Sequence, residues 1–172
     1  MTAACGRVAP SASHAGQHFS FLFARREVTM IESTGDPRSG MKIAVGILSA
    51  VYAVTFFCGA LLHLGVRIPL GAAILAEPTI LPAAIVESLC GLALSFGAFA
   101  VFARWNRAWT AVFAAHAFAF GGVLLGVTAL ALGAGPSTDL NTMYHRVMLV
   151  GLVAVLALLL TPAGRAAFRR EA

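Results

Sequence analysis

The sequence predicts an all-α integral membrane protein: four transmembrane helices in an antiparallel bundle, with both termini cytoplasmic. Three observations carry that prediction. The 172-residue chain is 59% hydrophobic and only 11% charged, whereas a soluble domain is about 25% charged. Its mean hydropathy is +0.87. Its apolar residues gather into four stretches, each close to the roughly 20 residues that cross the hydrocarbon of a bilayer. A chain of this length is expected to form one domain.

Residues 1–41 stand apart from the rest. They are rich in Ser, Gly, Pro and charge, a composition that buries too little apolar surface to fold. Their apolar island, Phe19 to Phe23, is too short to span a bilayer and lacks the layout of a signal peptide. The segment "MKIAVGILSAVYAV", from Met41, reads like the start of a bacterial inner-membrane protein. The arm is therefore read as disordered or as sequence upstream of the true start, with Met30 and Met41 as alternatives to Met1.

Residues 42–164 form the expected transmembrane domain. The helices are placed at about 43–66, 82–103, 108–133 and 143–161, followed by a short basic tail, 165–172. Orientation follows from Lys and Arg, which concentrate in cytoplasmic loops. With the N-terminus inside, every Lys and Arg except Arg67 and Arg146 falls on the inner side. The predicted location is thus the cytoplasmic (inner) membrane. Trp105 and Trp109 flank the inner loop and Tyr144 fits the outer interface, as belt aromatics do.

Small residues let helix backbones approach in lipid. The third helix carries Ala115, Ala119, Gly122, Gly126, Ala129 and Gly133 at alternating spacings of four and three. Gly122 and Gly126 form a GxxxG pair, a surface for a second copy or another membrane subunit. The second helix carries Ala84, Ser88, Gly91, Ser95 and Ala98 in the same way. The first gathers Ser49, Tyr52, Phe56, Gly59 and His63 into one stripe. The fourth, nearly all Leu, Val and Ala, reads as the most lipid-exposed.

The stretch "AEPTILPAAIVESLCG" (76–91) places acids and prolines inside this apolar chain. Pro82 suits the first turn of a helix, where its missing N–H is not needed. Residues 67–81 then form an apolar outer connection, lying in the interface or dipping back as a re-entrant turn. Glu77 reads as a solvated loop acid. Glu87 lies about five residues past Pro82, roughly 8 Å into the helix. A carboxylate facing lipid there costs at least about 2.5 kcal/mol, so Glu87 is expected to face inward, protonated or paired. His63, Arg67, His145 and Arg146 fall at a similar depth.

Three readings of this outer cluster compete. The first is a buried salt bridge or hydrogen-bond network, Glu87 with Arg146 or His145, that fixes helix register. The second is a site for a proton, ion or small ligand built from Glu87, His63, His145, Arg146 and Arg67, since intramembrane ionisable residues mark pathways and pockets. The third is a haem or metal site through His63 and His145, with Glu87 as a further candidate ligand; these donors suit zinc, iron or copper, but no H-x-x-H or E-x-x-H spacing is present, and the one H-x-x-x-H, His14 with His18, lies in the N-terminal arm. His116 reads as a hydrogen-bonded interior histidine, and Cys58 and Cys90 as small apolar fillers.

No Walker A loop, G-x-S-x-G elbow, H-E-x-x-H or Rossmann fingerprint occurs. The balance leans away from an enzyme, and no cofactor is specified. The net charge of +5 includes no basic run, so nucleic acid is not an expected partner. A non-catalytic accessory subunit of a membrane complex is the alternative to the pocket reading.

Overall fold

A computed structural model describes residues 37–136 and 138–169. The predicted disordered arm lies outside the described residues up to position 36. Four long helices dominate: α1 (Pro37–His63), α2 (Leu81–Phe102), α3 (Ala108–Ala131) and α4 (Asp139–Leu160). All four are long and apolar enough to cross a membrane. The shortest have 22 residues, or about 33 Å at 1.5 Å per residue.

Each helix has a local cause. α2 starts with Pro82 in its first turn, as predicted. α4 starts at Asp139 and not near Met143, because Thr138 is its N-cap. The Thr138 hydroxyl accepts from the Asn141 N–H at 3.1 Å. Asp139 and Thr142, the other capping residue types nearby, lie inside the helix. α1 begins at Pro37, so the end of the supposed arm is helical. After α4, Thr161 caps a short helix α5 (Pro162–Ala167), which spans the end of the expected transmembrane domain and the first residues of the basic tail.

The all-α expectation needs one correction. Residues 67–81 contain a hairpin, β1 (Ile68–Leu70) and β2 (Ala73–Leu75). Its pairing is antiparallel, with Ile68 opposite Leu75 and Leu70 opposite Ala73. Gly71 opens the two-residue turn with φ +61°, a conformation that favours glycine at the head of a tight hairpin. The pairing satisfies part of the backbone of this apolar connection.

The core has two parts. One draws on every long helix, with Phe56 from α1, Leu94 from α2, Ala119 from α3 and Leu152 from α4. The other gathers Val45, Val101, Val112, Val155 and Leu159. Burial on α4 falls on Asn141, His145, Met148, Leu152, Val155 and Leu159, a run at spacings of four and three that marks one helix face. α4 therefore has an inward face of its own and is not simply a lipid-facing helix. On α2, Ser95 is exposed and Ser88 half-buried, while Glu87 and Leu94 are buried. The inward face of α2 is thus rotated by about one residue from the predicted stripe. The large volume of Leu94 fills the core better than a serine would.

The outer surface is apolar, with Val54, Phe99 and Val150 each more than 60% exposed. This contrast yields a prediction. Phe56→Ala should cost about 3–5 kcal/mol, the usual loss for a buried aromatic. Phe99→Ala, which empties no core site, should cost under about 1 kcal/mol. Reversible unfolding of the two variants in mixed micelles checks the difference.

Candidate functional site

Four helix ends meet at one cavity of about 280 Å³. His63 comes from the end of α1, Pro82 and Glu87 from the start of α2, Gly126 from the end of α3, and Asn141 and His145 from the start of α4. Apolar side chains such as Val86 and Leu125 complete the wall. The cavity lies under the two connections α1–α2 and α3–α4, which contribute Ile80 and Gly135.

Local bonding places each side chain. The Ile80 N–H donates to the His63 carbonyl at 2.9 Å, which ties the end of α1 to the start of α2. His63 Nε2 then stands 3.8 Å from Glu87 Oε1. That gap is too long for a direct hydrogen bond. Glu87 is 5% exposed, and neither carboxyl oxygen has a hydrogen-bond partner. The carboxyl rests against the backbone of α1. A methyl group at Gly59 would stand 2.8 Å from Glu87 Oε2, so a larger residue there would have to push the carboxyl aside.

His145 is held from below. Its Nδ1 lies 2.9 Å from the Asn141 carbonyl, and a carbonyl only accepts, so Nδ1 carries the hydrogen. In the neutral ring Nε2 is then an acceptor. The ring packs over Gly126, where a methyl group would overlap it. His63 repeats the arrangement more loosely, with Nδ1 3.5 Å from the Pro78 carbonyl. Asn141 is 4% exposed, and its Oδ1 has no partner.

The remaining predicted residues are distributed as follows. Arg67 and Arg146 are exposed and do not line the cavity. Glu87 and His145 are buried on their helices, whereas Arg146, one residue beyond His145, turns outward with its helical face. Glu77 is not a free loop acid: both its oxygens accept from the Thr138 hydroxyl at 2.8 Å. It thereby links the α1–α2 connection to the cap of α4. Tyr144, read as an interface aromatic, packs edge-on against Phe56. Its hydroxyl is buried near Glu87, without a well-formed hydrogen bond. No sequence signal separated Tyr144 from a belt tyrosine.

The glycine pair of α3 is occupied within the chain. Gly122 packs against Cys90 and Val86, and Gly126 against His145. Cys90 is buried and Cys58 exposed. His116 lies deeper in the core, with Nδ1 2.9 Å from the Val112 carbonyl, in edge contact with Tyr52. Tyr52 reaches α4 at Gly151, where an added methyl would overlap its hydroxyl. Trp109 donates from Nε1 to the Leu159 carbonyl at 3.1 Å, so it ties α3 to α4 and is more than a belt residue.

Among the described residues no group of three His, Cys, Asp or Glu is arranged to hold a metal ion. The cavity volume lies at the bottom of the range for small-molecule pockets, roughly 300–1,000 Å³, which is small for a macrocycle. Comparison with protein-family models, curated proteins and solved structures finds no match.

The link between connections is testable. Thr138→Val removes both the α4 cap and the donor to Glu77. It should lower stability by about 1 kcal/mol or more, the usual cost of a lost N-cap. Thr138→Ser, which keeps the hydroxyl, should recover most of that in the same unfolding assay.

Proposed function

We propose that this is a four-span protein of a cytoplasmic membrane, with both termini inside and the helices bundled around a ligand pocket in its outer third. Glu87 is the anchor of that pocket, with His63 and His145 beside it. It takes a proton, an ion or a small ligand from the outer side. The inside placement of the termini rests on the distribution of Lys and Arg, which leaves only Arg67 and Arg146 outside.

One observation carries the pocket reading: the Glu87 carboxyl borders open space with both oxygens unpartnered. A carboxyl that served only to lock helix register would be bound to its partner, because a buried polar group without a hydrogen bond is costly. Of the two candidate partners for such a lock, Arg146 is exposed, and His145 spends its Nδ1–H on the Asn141 carbonyl. The histidine in reach, His63, is 3.8 Å away, close enough to share a proton or ligand with Glu87 after a small movement.

Carbodiimide modification separates a reachable pocket from a sealed structural pair, because it needs an accessible, protonated carboxyl. Dicyclohexylcarbodiimide should add its mass to the peptide that contains Glu87. Ala129→Phe, which fills the cavity, should suppress that addition, and Glu87→Gln should abolish it. An unmodified Glu87 in folded protein would leave the accessory-subunit reading in its place.

A further inference from the structure

The unpartnered polar atoms in the cavity wall are acceptors. Glu87 offers two carboxyl oxygens and Asn141 offers Oδ1, all three without partners. His145 offers Nε2, because its Nδ1–H is spent on the Asn141 carbonyl. His63 Nε2 faces the same carboxyl at 3.8 Å. The Glu87 oxygens, Asn141 Oδ1 and His145 Nε2 are all acceptors when Glu87 is ionised, with the Asn141 amide NH2 as a donor beside them. No lysine or arginine lines the space, and the nearby arginines, Arg67 and Arg146, are exposed.

An anion is thus the wrong guest: it would meet a carboxylate and a ring of lone pairs with no cation to receive it. A metal ion lacks the three-ligand cluster that would hold it. A neutral alcohol has one O–H, which leaves the carboxylate charge uncompensated in a low-dielectric wall. A primary ammonium group answers every demand. It brings one positive charge for Glu87 and three N–H donors for oxygens and imidazole nitrogens. The apolar remainder of the cavity, with Val86, Leu125 and Leu130, suits a short hydrocarbon body.

The geometry points to a primary alkylammonium site: the ammonium head sits at Glu87, His145 and Asn141, and the carbon chain lies along α2 and α3. This deepens the pocket reading of the previous section and rests on it. The same head group is available from a free amine or from a phosphatidylethanolamine head group in the surrounding bilayer.

The test is equilibrium dialysis of radiolabelled butylammonium against the full chain in phosphatidylcholine nanodiscs, with empty nanodiscs subtracted. Saturable binding is expected, weaker by at least about tenfold in Glu87→Gln, as befits loss of a charge-assisted hydrogen bond. Ala129→Leu, which narrows the cavity and leaves Glu87 in place, should weaken it as well. Against wild-type protein, butan-1-ol, butanoate and butyltrimethylammonium should each compete at least tenfold less well than unlabelled butylammonium. The panel stands on wild-type protein alone, so a misfolded variant does not blunt it.

Phosphatidylethanolamine in the nanodiscs distinguishes the two sources. Affinity for butylammonium falls there if the lipid head group is the occupant, and holds if a free amine is; either result supports the site. Equal competition by butan-1-ol or by butyltrimethylammonium would overturn it. So would the absence of saturable binding. If carbodiimide still reaches Glu87 in those cases, the pocket survives and only its ammonium preference is lost. If carbodiimide does not reach it, the pocket itself is wrong.

Discussion

Neither oxygen of the Glu87 carboxyl makes a well-formed hydrogen bond, although the side chain is 5% exposed and belongs to an apolar helix. Removing such a group from water is expensive, and the surrounding structure is arranged about that fact. α1 gives up a side chain at Gly59 so that the carboxyl can lie against its backbone. The same helix ends on His63, which turns Nε2 toward the acid. α4 sends in His145 and the Tyr144 hydroxyl, and α3 withdraws its side chain at Gly126 to seat the imidazole. Space, acid and imidazoles thus share one origin. All of them surround a buried carboxyl whose nearest imidazole stands at ion-pair distance but beyond a direct hydrogen bond.

The opposite end of the four helices is built on another principle. Val45, Val101, Val112, Val155 and Leu159 fill it with hydrocarbon, and the Trp109 indole ties α3 to the last turn of α4. His116 marks the boundary between the two regimes, fully buried with Nδ1 on the Val112 carbonyl. The three interior histidines therefore share one habit: Nδ1 faces a carbonyl and Nε2 is left over. In His145 and His116 the carbonyl lies four residues back, so the helix itself fixes the tautomer. The molecule joins a well-packed apolar half to a half with unmet polar valence.

Much of this was legible in the residues. Helix positions followed from apolar run lengths, and Pro82 marked the start of α2 because only a first turn tolerates it. The depth of Glu87, His63 and His145 followed from counting residues at 1.5 Å each. Azimuth was harder to read. In a helix that is apolar all round, periodicity has little contrast, so Ser88 and Ser95 drew the predicted stripe of α2 away from Leu94, whereas Glu87 faces inward as expected. The inward row of α4 was hidden for the same reason, with Leu and Val on every side. Arg67 and Arg146 shared the right depth but not the right direction, and depth alone could not tell them from His63 and His145. The hairpin was missed because an apolar connection resembles an interfacial segment; the Leu70–Gly71–Ala72–Ala73 turn was its one local sign. The bond from Thr138 to Glu77 joins residues 61 positions apart, and nothing in either neighbourhood announces it.

The glycines beneath polar side chains have a consequence for descent. Gly59 faces the Glu87 carboxyl, Gly126 the His145 ring and Gly151 the Tyr52 hydroxyl. Each pair is a seat and its occupant on different helices, and the seat exists only while the occupant is long and polar. In related chains the two halves should therefore be inherited as units. Where the acid, imidazole or phenol has shrunk, its glycine is free to drift toward alanine or serine, and where it persists, the glycine cannot.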